Sequence, residues 1–271
     1  MAGKTTRCPP AADPGGLRAF VGKTRDYTAN MHIFPAISET LTILHALQGW
    51  GIVSKLLLQI MAKLKKPKHI AIAGNIGAGK TTLTEMLSKH YRWIPQFEDV
   101  DHNPYLNDFY EDMPRWSFNL QIFFLNSRLN QLLEIHRGTE TVVQDRTIYE
   151  DAYIFAPNLH DMGLMGKRDF DNYFMFFQTL KSMVQPPDLL IYLQASVPTL
   201  VAQIQKRGRD YEENIRLDYL KKLNEFYNKW IEGYKEGPLL VINCDKNKFA
   251  EKEEDLGEII NKIDSQLYGL F

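Results

Sequence analysis

The stretch Gly74-Asn75-Ile76-Gly77-Ala78-Gly79-Lys80-Thr81 has the residue types and spacing of a loop that grips phosphate. It fits the pattern G-x-x-x-x-G-K-[ST] between an apolar run (Ile70 to Ala73) and a helix-like one (Leu83, Met86, Leu87), the strand-loop-helix setting that gives the pattern meaning. Glycines let backbone N–H groups turn inward around phosphates. The N-terminus of the next helix, running on through Thr82, adds partial positive charge. Lys80 can reach the β- and γ-phosphates, and the Thr81 hydroxyl can ligate Mg²⁺. A Gly-rich turn that binds nothing is the plainer alternative, but every motif position is filled. A bound nucleoside triphosphate is expected.

Three further charged sites suit phosphate chemistry. Glu98 ends Gln96-Phe97-Glu98, at the C-terminal end of a second β-like run, where ligands gather in open α/β sheets. A carboxylate there can take the proton of an attacking hydroxyl; a solvated loop acid is the alternative, and Asp99 and Asp101 are rivals. Asp145-Arg146-Thr147 closes the run Thr141-Val142-Val143-Gln144, where a phosphate-loop enzyme places its second Mg²⁺ contact. Arg146 could neutralise a phosphate or hold Glu98. The triplet also reads as a helix N-terminus with Thr147 as its cap. Lys206-Arg207-Gly208-Arg209 reads both as a charged helix end and as a lid that closes on a transferring group.

Aromatic residues crowd the segment from Tyr91 to Phe124, and most belong in a core. Within it Gln121, Leu125 and Arg128 fall on one helical face, while Asp151 and Phe155 share a face of the next helix. An amide, a guanidinium, a carboxylate and an aromatic plane are what a nucleobase pocket needs. A buried ion pair of Arg128 with Asp151 is the other reading, and the one that spacing alone favours.

These residues need a scaffold, and from Lys68 onward strand-like and helix-like runs alternate, as in a parallel sheet covered by helices. Strands are predicted at 69–74, 93–98, 141–145, 188–193 and 239–243. Helices are predicted near 79–90, 115–137, 148–160, 168–184, 197–206, 214–234 and 251–267. Pro95 cannot donate to a sheet ladder, so its strand should lie at an edge. At 271 residues the chain has room for one sizeable α/β core plus an appendage. A net charge of −1 argues against a general nucleic-acid binder. Two cysteines, Cys8 and Cys244, are too few for a disulfide framework, so a reducing, cytoplasmic setting is expected. No apolar run approaches the ~20 residues of a membrane span. Residues 1–66 read as an N-terminal extension, through Pro9-Pro10 and Asp13-Pro14-Gly15-Gly16 rich in turn formers. A targeting segment, a helical appendage and an upstream stretch before a true start at Met61 compete for it, with Met61 preferred.

At this point the chain resembles the deoxynucleoside kinase family, from Lys68 to the C-terminus. The resemblance rests on the phosphate loop, Glu98, Arg115-Trp116-Ser117-Phe118-Asn119-Leu120-Gln121 with Arg128, the Asp145-Arg146-Thr147 triplet, Tyr149-Glu150-Asp151-Ala152-Tyr153-Ile154-Phe155, and Arg207-Gly208-Arg209 with Glu212. It implies a P-loop NTPase fold of the nucleoside/nucleotide-kinase type, with five parallel strands in order 2-3-1-4-5 spanning 67–271. It implies that Glu98 is the base for the 5′-hydroxyl, held by Arg146. Gln121, Arg128 and Asp151 would read the nucleobase edge and Phe155 would stack on it. Tyr110 and Glu212 would bind the sugar 3′-hydroxyl, and a homodimer would use the aromatic-rich 168–177 segment. The triplet departs from the usual Glu-Arg-Ser, and Gln203 stands where relatives often carry an arginine.

The expected activity is ATP- and Mg²⁺-dependent phosphorylation of a deoxynucleoside for salvage. Lys80, Arg146, Arg207 and Arg209 would supply positive charge, and Thr81 and Asp145 would hold the metal. Arg128 and Asp151 suit an amino-bearing base, purine or cytosine, with deoxyadenosine ahead. No nucleic acid or membrane partner is expected. A nucleoside-monophosphate kinase and a non-catalytic ATP-binding module are the rivals. Glu98 and Glu212 speak against the first, and a Glu98→Gln variant separates the second.

Overall fold

The computed structural model describes residues 68–98, 102–209 and 215–269. The expectations for residues 1–66 and for Met61, Asp99, Asp101 and Glu212 lie outside them. Five strands alternate with helices: β1 (His69–Gly74), β2 (Ile94–Gln96), β3 (Val142–Asp145), β4 (Leu189–Gln194) and β5 (Leu239–Asn243). They form one parallel sheet in the order β2-β3-β1-β4-β5. That is the expected 2-3-1-4-5 order, and it leaves β2 at an edge. Pro95 stands opposite Val143 there, hydrogen-bonding demands being met on one side only. The edge strand is also shorter than the predicted 93–98.

β1 sits at the centre of the sheet and is buried along its whole length. Because side chains alternate along a strand, Ile70 and Ile72 join one core with Leu83, Leu87, Ile191 and Ile263. Ala71 and Ala73 face the other way, toward Leu120, Phe124, Tyr192 and Tyr227. The small alanines leave room for the helices that build the site. A third cluster joins Leu125, Leu132, Tyr149, Tyr173 and Phe177.

The helices are α1 (Lys80–Tyr91), α2 (Leu106–Glu111), α3 (Met113–Arg137), α4 (Ile148–Glu150), α5 (Ala156–Asp161), α6 (Lys167–Lys181), α7 (Val197–Arg207), α8 (Leu217–Glu232) and α9 (Glu253–Tyr268). Two differ from expectation. The short α2 was not foreseen, since six residues between turn formers carry little periodicity. The predicted continuous helix 148–160 is interrupted by a π-helical stretch, Asp151–Phe155, between α4 and α5. There the Ala156 N–H reaches back to the Asp151 carbonyl, an i→i+5 bond of the kind found often at functional sites.

Ile191 is fully buried in β4, beside the central strand. Ile191→Ala should lower stability by about 2–5 kcal/mol, read by denaturant unfolding; a negligible change would contradict the central core.

Candidate active site

The phosphate loop leaves the C-terminal end of β1 and enters α1. Gly77 has φ 82° and Gly79 φ 95°, a region open to glycine and strained for other residues. A Cβ on Gly77 would lie 2.8 Å from the Leu200 carbonyl oxygen of α7, so helix and loop approach too closely for a side chain. The Asn75 amide anchors the loop to α8, donating to the Leu220 carbonyl at 3.2 Å and to Asn224 Oδ1 at 3.1 Å. The Lys80 Nζ donates to the Asn75 carbonyl at 3.1 Å and is buried.

At the end of β3 the Thr81 hydroxyl donates to Asp145 Oδ2 at 2.6 Å. The other carboxylate oxygen, Oδ1, is buried without a partner. A hydroxyl, a carboxylate and an unmet oxygen beside a phosphate loop fit Mg²⁺, which takes one or two protein ligands and completes its shell with phosphates and water. Arg146 follows in the left-handed region, φ 69°, a strained conformation of the sort held at functional turns. Thr147 caps α4 in a capping box with Glu150, so the helix-start reading of the triplet holds beside the chemical one.

A cavity of about 320 Å³ opens against this edge of the sheet, near the lower end of the roughly 300–1,000 Å³ of small-molecule sites. Lys80, Thr81, Glu98, Asp145, Arg146 and Asp151 line it on the polar side. Tyr110, Gln121, Phe155, Arg207 and Arg209 line it too. Elements distant in sequence, from α1 to the end of α7, therefore meet at one space. The Gln121 Oε1 is buried without a partner, an acceptor available to an amino-bearing ligand.

Arg128 ties the acids together. Its Nε donates to Asp151 Oδ2 at 2.6 Å and its NH2 to Glu98 Oε1 at 2.7 Å, and it is 1% exposed. The buried ion pair with Asp151 is thus present. Arg128 is not among the residues lining the cavity; it stands behind Asp151. Two arginines hold Glu98: Arg128 makes the hydrogen bond, while Arg146, the expected brace, pairs at longer range, its Nε 3.8 Å from Glu98 Oε2. The Arg146 guanidinium also lies over the Phe155 ring, 4.4 Å from its centroid.

Burial alone would raise the Glu98 pKa, but Arg146, Arg128 and Lys80 outweigh it and hold the carboxyl down to about 2. Burial, aided by Arg146, lowers Lys80 to about 8 against the pull of Asp145, Glu150 and Glu98. Burial pushes Asp151 up, while Arg128 draws it back.

The family model for deoxynucleoside kinases matches residues 70–268. The chain belongs to the deoxynucleoside kinase family. A deoxyadenosine/deoxycytidine kinase of Bacillus subtilis is 36% identical over 209 residues, 76% of this chain and 95% of that one. A deoxyadenosine kinase of Dictyostelium discoideum is 40% identical over 195 residues, 72% and 79% of the two chains. The structure of a deoxyadenosine kinase from M. mycoides with bound dATP superposes with a TM-score of 0.66 at 30% identity, covering 73% of this chain and all (100%) of that one.

Of the kinase site residues read from sequence, Gly74, Ala78 and Thr82 belong to the loop and the start of α1. Lys206 does not line the cavity and pairs with Glu251 at 2.9 Å, so that of the three cations expected in a lid only Arg207 and Arg209 line it. Gly208 ends α7 in the left-handed conformation, so the charged helix end is real. Leu106, Phe124 and Tyr219 also line the cavity and were missed. No local pattern marks Tyr219, ten residues beyond Arg209 in the sequence. Phe124 shares a helical stripe with Gln121 and Arg128, and Leu106 comes with α2.

The Lys80 ammonium faces phosphate only when charged, and its pKa is held near 8. The affinity of the free protein for ATP should therefore fall as pH rises from 7 to 9, measured by calorimetry. A flat profile would show that the lysine keeps its charge throughout.

Proposed function

We propose that this kinase moves the γ-phosphoryl group of ATP to the 5′-hydroxyl of a purine or cytosine deoxynucleoside, deoxyadenosine ahead, within 67–271. The observation that carries this reading is Glu98, held ionised by three cations in the cavity that also contains Lys80 and Thr81. An ionised carboxylate at that place can accept the proton of the attacking hydroxyl. A site for a second phosphate group would need a cation there instead.

Lys80 and the loop N–H groups of Asn75, Ile76, Gly77 and Gly79 hold the donor phosphates. Arg146, Arg207 and Arg209 offset the charge that spreads over the transferring group. Mg²⁺, held by Thr81 and Asp145, supplies further neutralisation of the phosphate oxygens when bound. On the acceptor side, the unmet Gln121 oxygen and Asp151, oriented by Arg128, meet the base edge, and Phe155 supplies its stacking plane. Two acceptors favour a ring bearing an amino group. Tyr110 and Glu212 take the sugar 3′-hydroxyl. A second crevice, lined by Gly79, Thr82, Gln203, Asn247 and Phe249, shares only Gly77 with the first and suits the base of the donor.

The exposed Met175 and Phe176 on α6 support a homodimer through that helix, which sedimentation would reveal as twice the chain mass. Cys244 is a buried free thiol, in keeping with a reducing cytoplasm. Among the described residues no helix is long and apolar enough to cross a membrane.

The test is steady-state phosphorylation of deoxyadenosine, deoxyguanosine, deoxycytidine and thymidine with ATP and Mg²⁺. Turnover is expected with the amino-bearing bases and poor turnover with thymidine. Glu98→Gln should lose about 10²- to 10⁴-fold in kcat. Unchanged turnover in that variant would remove Glu98 from the mechanism, and silence with all four nucleosides would sink the salvage-kinase reading.

A further inference from the structure

Glu150 is fully buried and takes no part in the reaction as proposed. Its carboxylate nevertheless joins two parts of the site. Oε2 accepts from the Thr147 N–H at 2.7 Å and from the Thr147 hydroxyl at 3.3 Å. Oε1 accepts from the Gly74 N–H at 3.2 Å and from the Tyr227 hydroxyl at 2.7 Å. Gly74 is the first residue of the phosphate loop. Thr147 follows Asp145 and Arg146, the second of which is held in the left-handed region.

We infer that Glu150 is a positioning residue for phosphoryl transfer, bracing the entry of the phosphate loop against the turn that carries Asp145 and Arg146. Tyr227 is its second anchor, reaching from α8 to both Glu150 and the Gly74 carbonyl, the latter at 2.8 Å. The chemistry of the cluster demands an acceptor-only group. Two backbone N–H groups, which a buried site must satisfy, and the Thr147 hydroxyl donate to the two Glu150 oxygens, and the single Tyr227 proton is shared between Oε1 and the Gly74 carbonyl. An amide in place of the carboxylate keeps the shape but sets an NH₂ against one of those donors. Either Gly74 or Thr147 then loses its partner and shifts. Gly74 carries the loop that holds phosphates, while Thr147 holds the strained turn of Arg146. Displacements of about an ångström at such places cost on the order of a hundredfold in rate.

The inference rests on the proposed reaction, so the experiment reads binding as well as turnover. Glu150→Gln and Tyr227→Phe are compared with the full wild-type chain for kcat, for KM of ATP and of the deoxynucleoside, and for ATP affinity by calorimetry. Rates are normalised to the folded fraction from circular dichroism. For Glu150→Gln, kcat should fall about 10- to 100-fold, the usual cost of losing a partner that orients a ligand-holding group. ATP affinity should weaken about tenfold, while KM for the deoxynucleoside stays within about threefold, since the acceptor pocket is untouched. Tyr227→Phe should show the same split at smaller size. Losses that vanish on normalising to folded protein, or values of kcat and ATP affinity within about twofold of wild type, overturn the brace. If Glu150→Gln fails to fold, Tyr227→Phe decides by the same criteria. A wild-type chain that binds ATP without turnover overturns the reaction, and the ATP affinities of the variants still decide the brace.

Discussion

A guanidinium sealed from water has to be matched by acids, and Arg128 at 1% exposure is matched by two, Asp151 and Glu98. Removing one partner from such a buried pair typically costs several kcal/mol. The three residues therefore hold three elements in register: the middle of α3, the π-helical stretch after α4, and the segment leaving edge strand β2. The cavity is the space those elements enclose with the phosphate loop. The position of Glu98 is thus set by a contact whose cost of breaking is a large fraction of the stability of a typical domain.

Charge balance then extends around the rim. Lys80, Arg128 and Arg146 face Glu98, Asp145, Glu150 and Asp151 in a region where water screens little. Such proximity keeps Glu98 ionised, while burial brings Lys80 down to about 8. Phosphates arriving at the loop add negative charge on the side where the cations stand, so binding relieves the crowding of positive groups. The same arrangement leaves polar oxygens of Asp145 and Gln121 without protein partners, and in a buried site these mark where other groups belong.

Helix α8 contributes more than packing. Through Asn75 and Tyr227 it holds the phosphate loop from one side, and through Tyr219 it lines the cavity. The close approach of Leu200 to Gly77 holds the loop from α7. A loop rich in glycine would otherwise lose much backbone entropy on being ordered. Its shape is enforced by neighbours, with few side chains of its own to do so.

Much of this was legible in the sequence because it depends on local chemistry. The glycine and lysine spacing at 74–81, the acids ending two β-runs, and the edge position of Pro95 each follow from backbone rules that act within a few residues. So does the alternation that produced a parallel sheet. What the sequence could not tell is which side chains meet across elements. Arg128 and Arg146 both suit Glu98 by charge, and only the structure shows that Arg128 hydrogen-bonds it while Arg146 pairs at longer range. The helix α2, the π-helical stretch and the double contact of Glu150 likewise arise from long-range packing, because a side chain's neighbours are set by how elements cross. Residue types and spacing determined the chemistry available to this protein; the tertiary structure decided which groups share one buried space, since burial and distance set the strength of every charge.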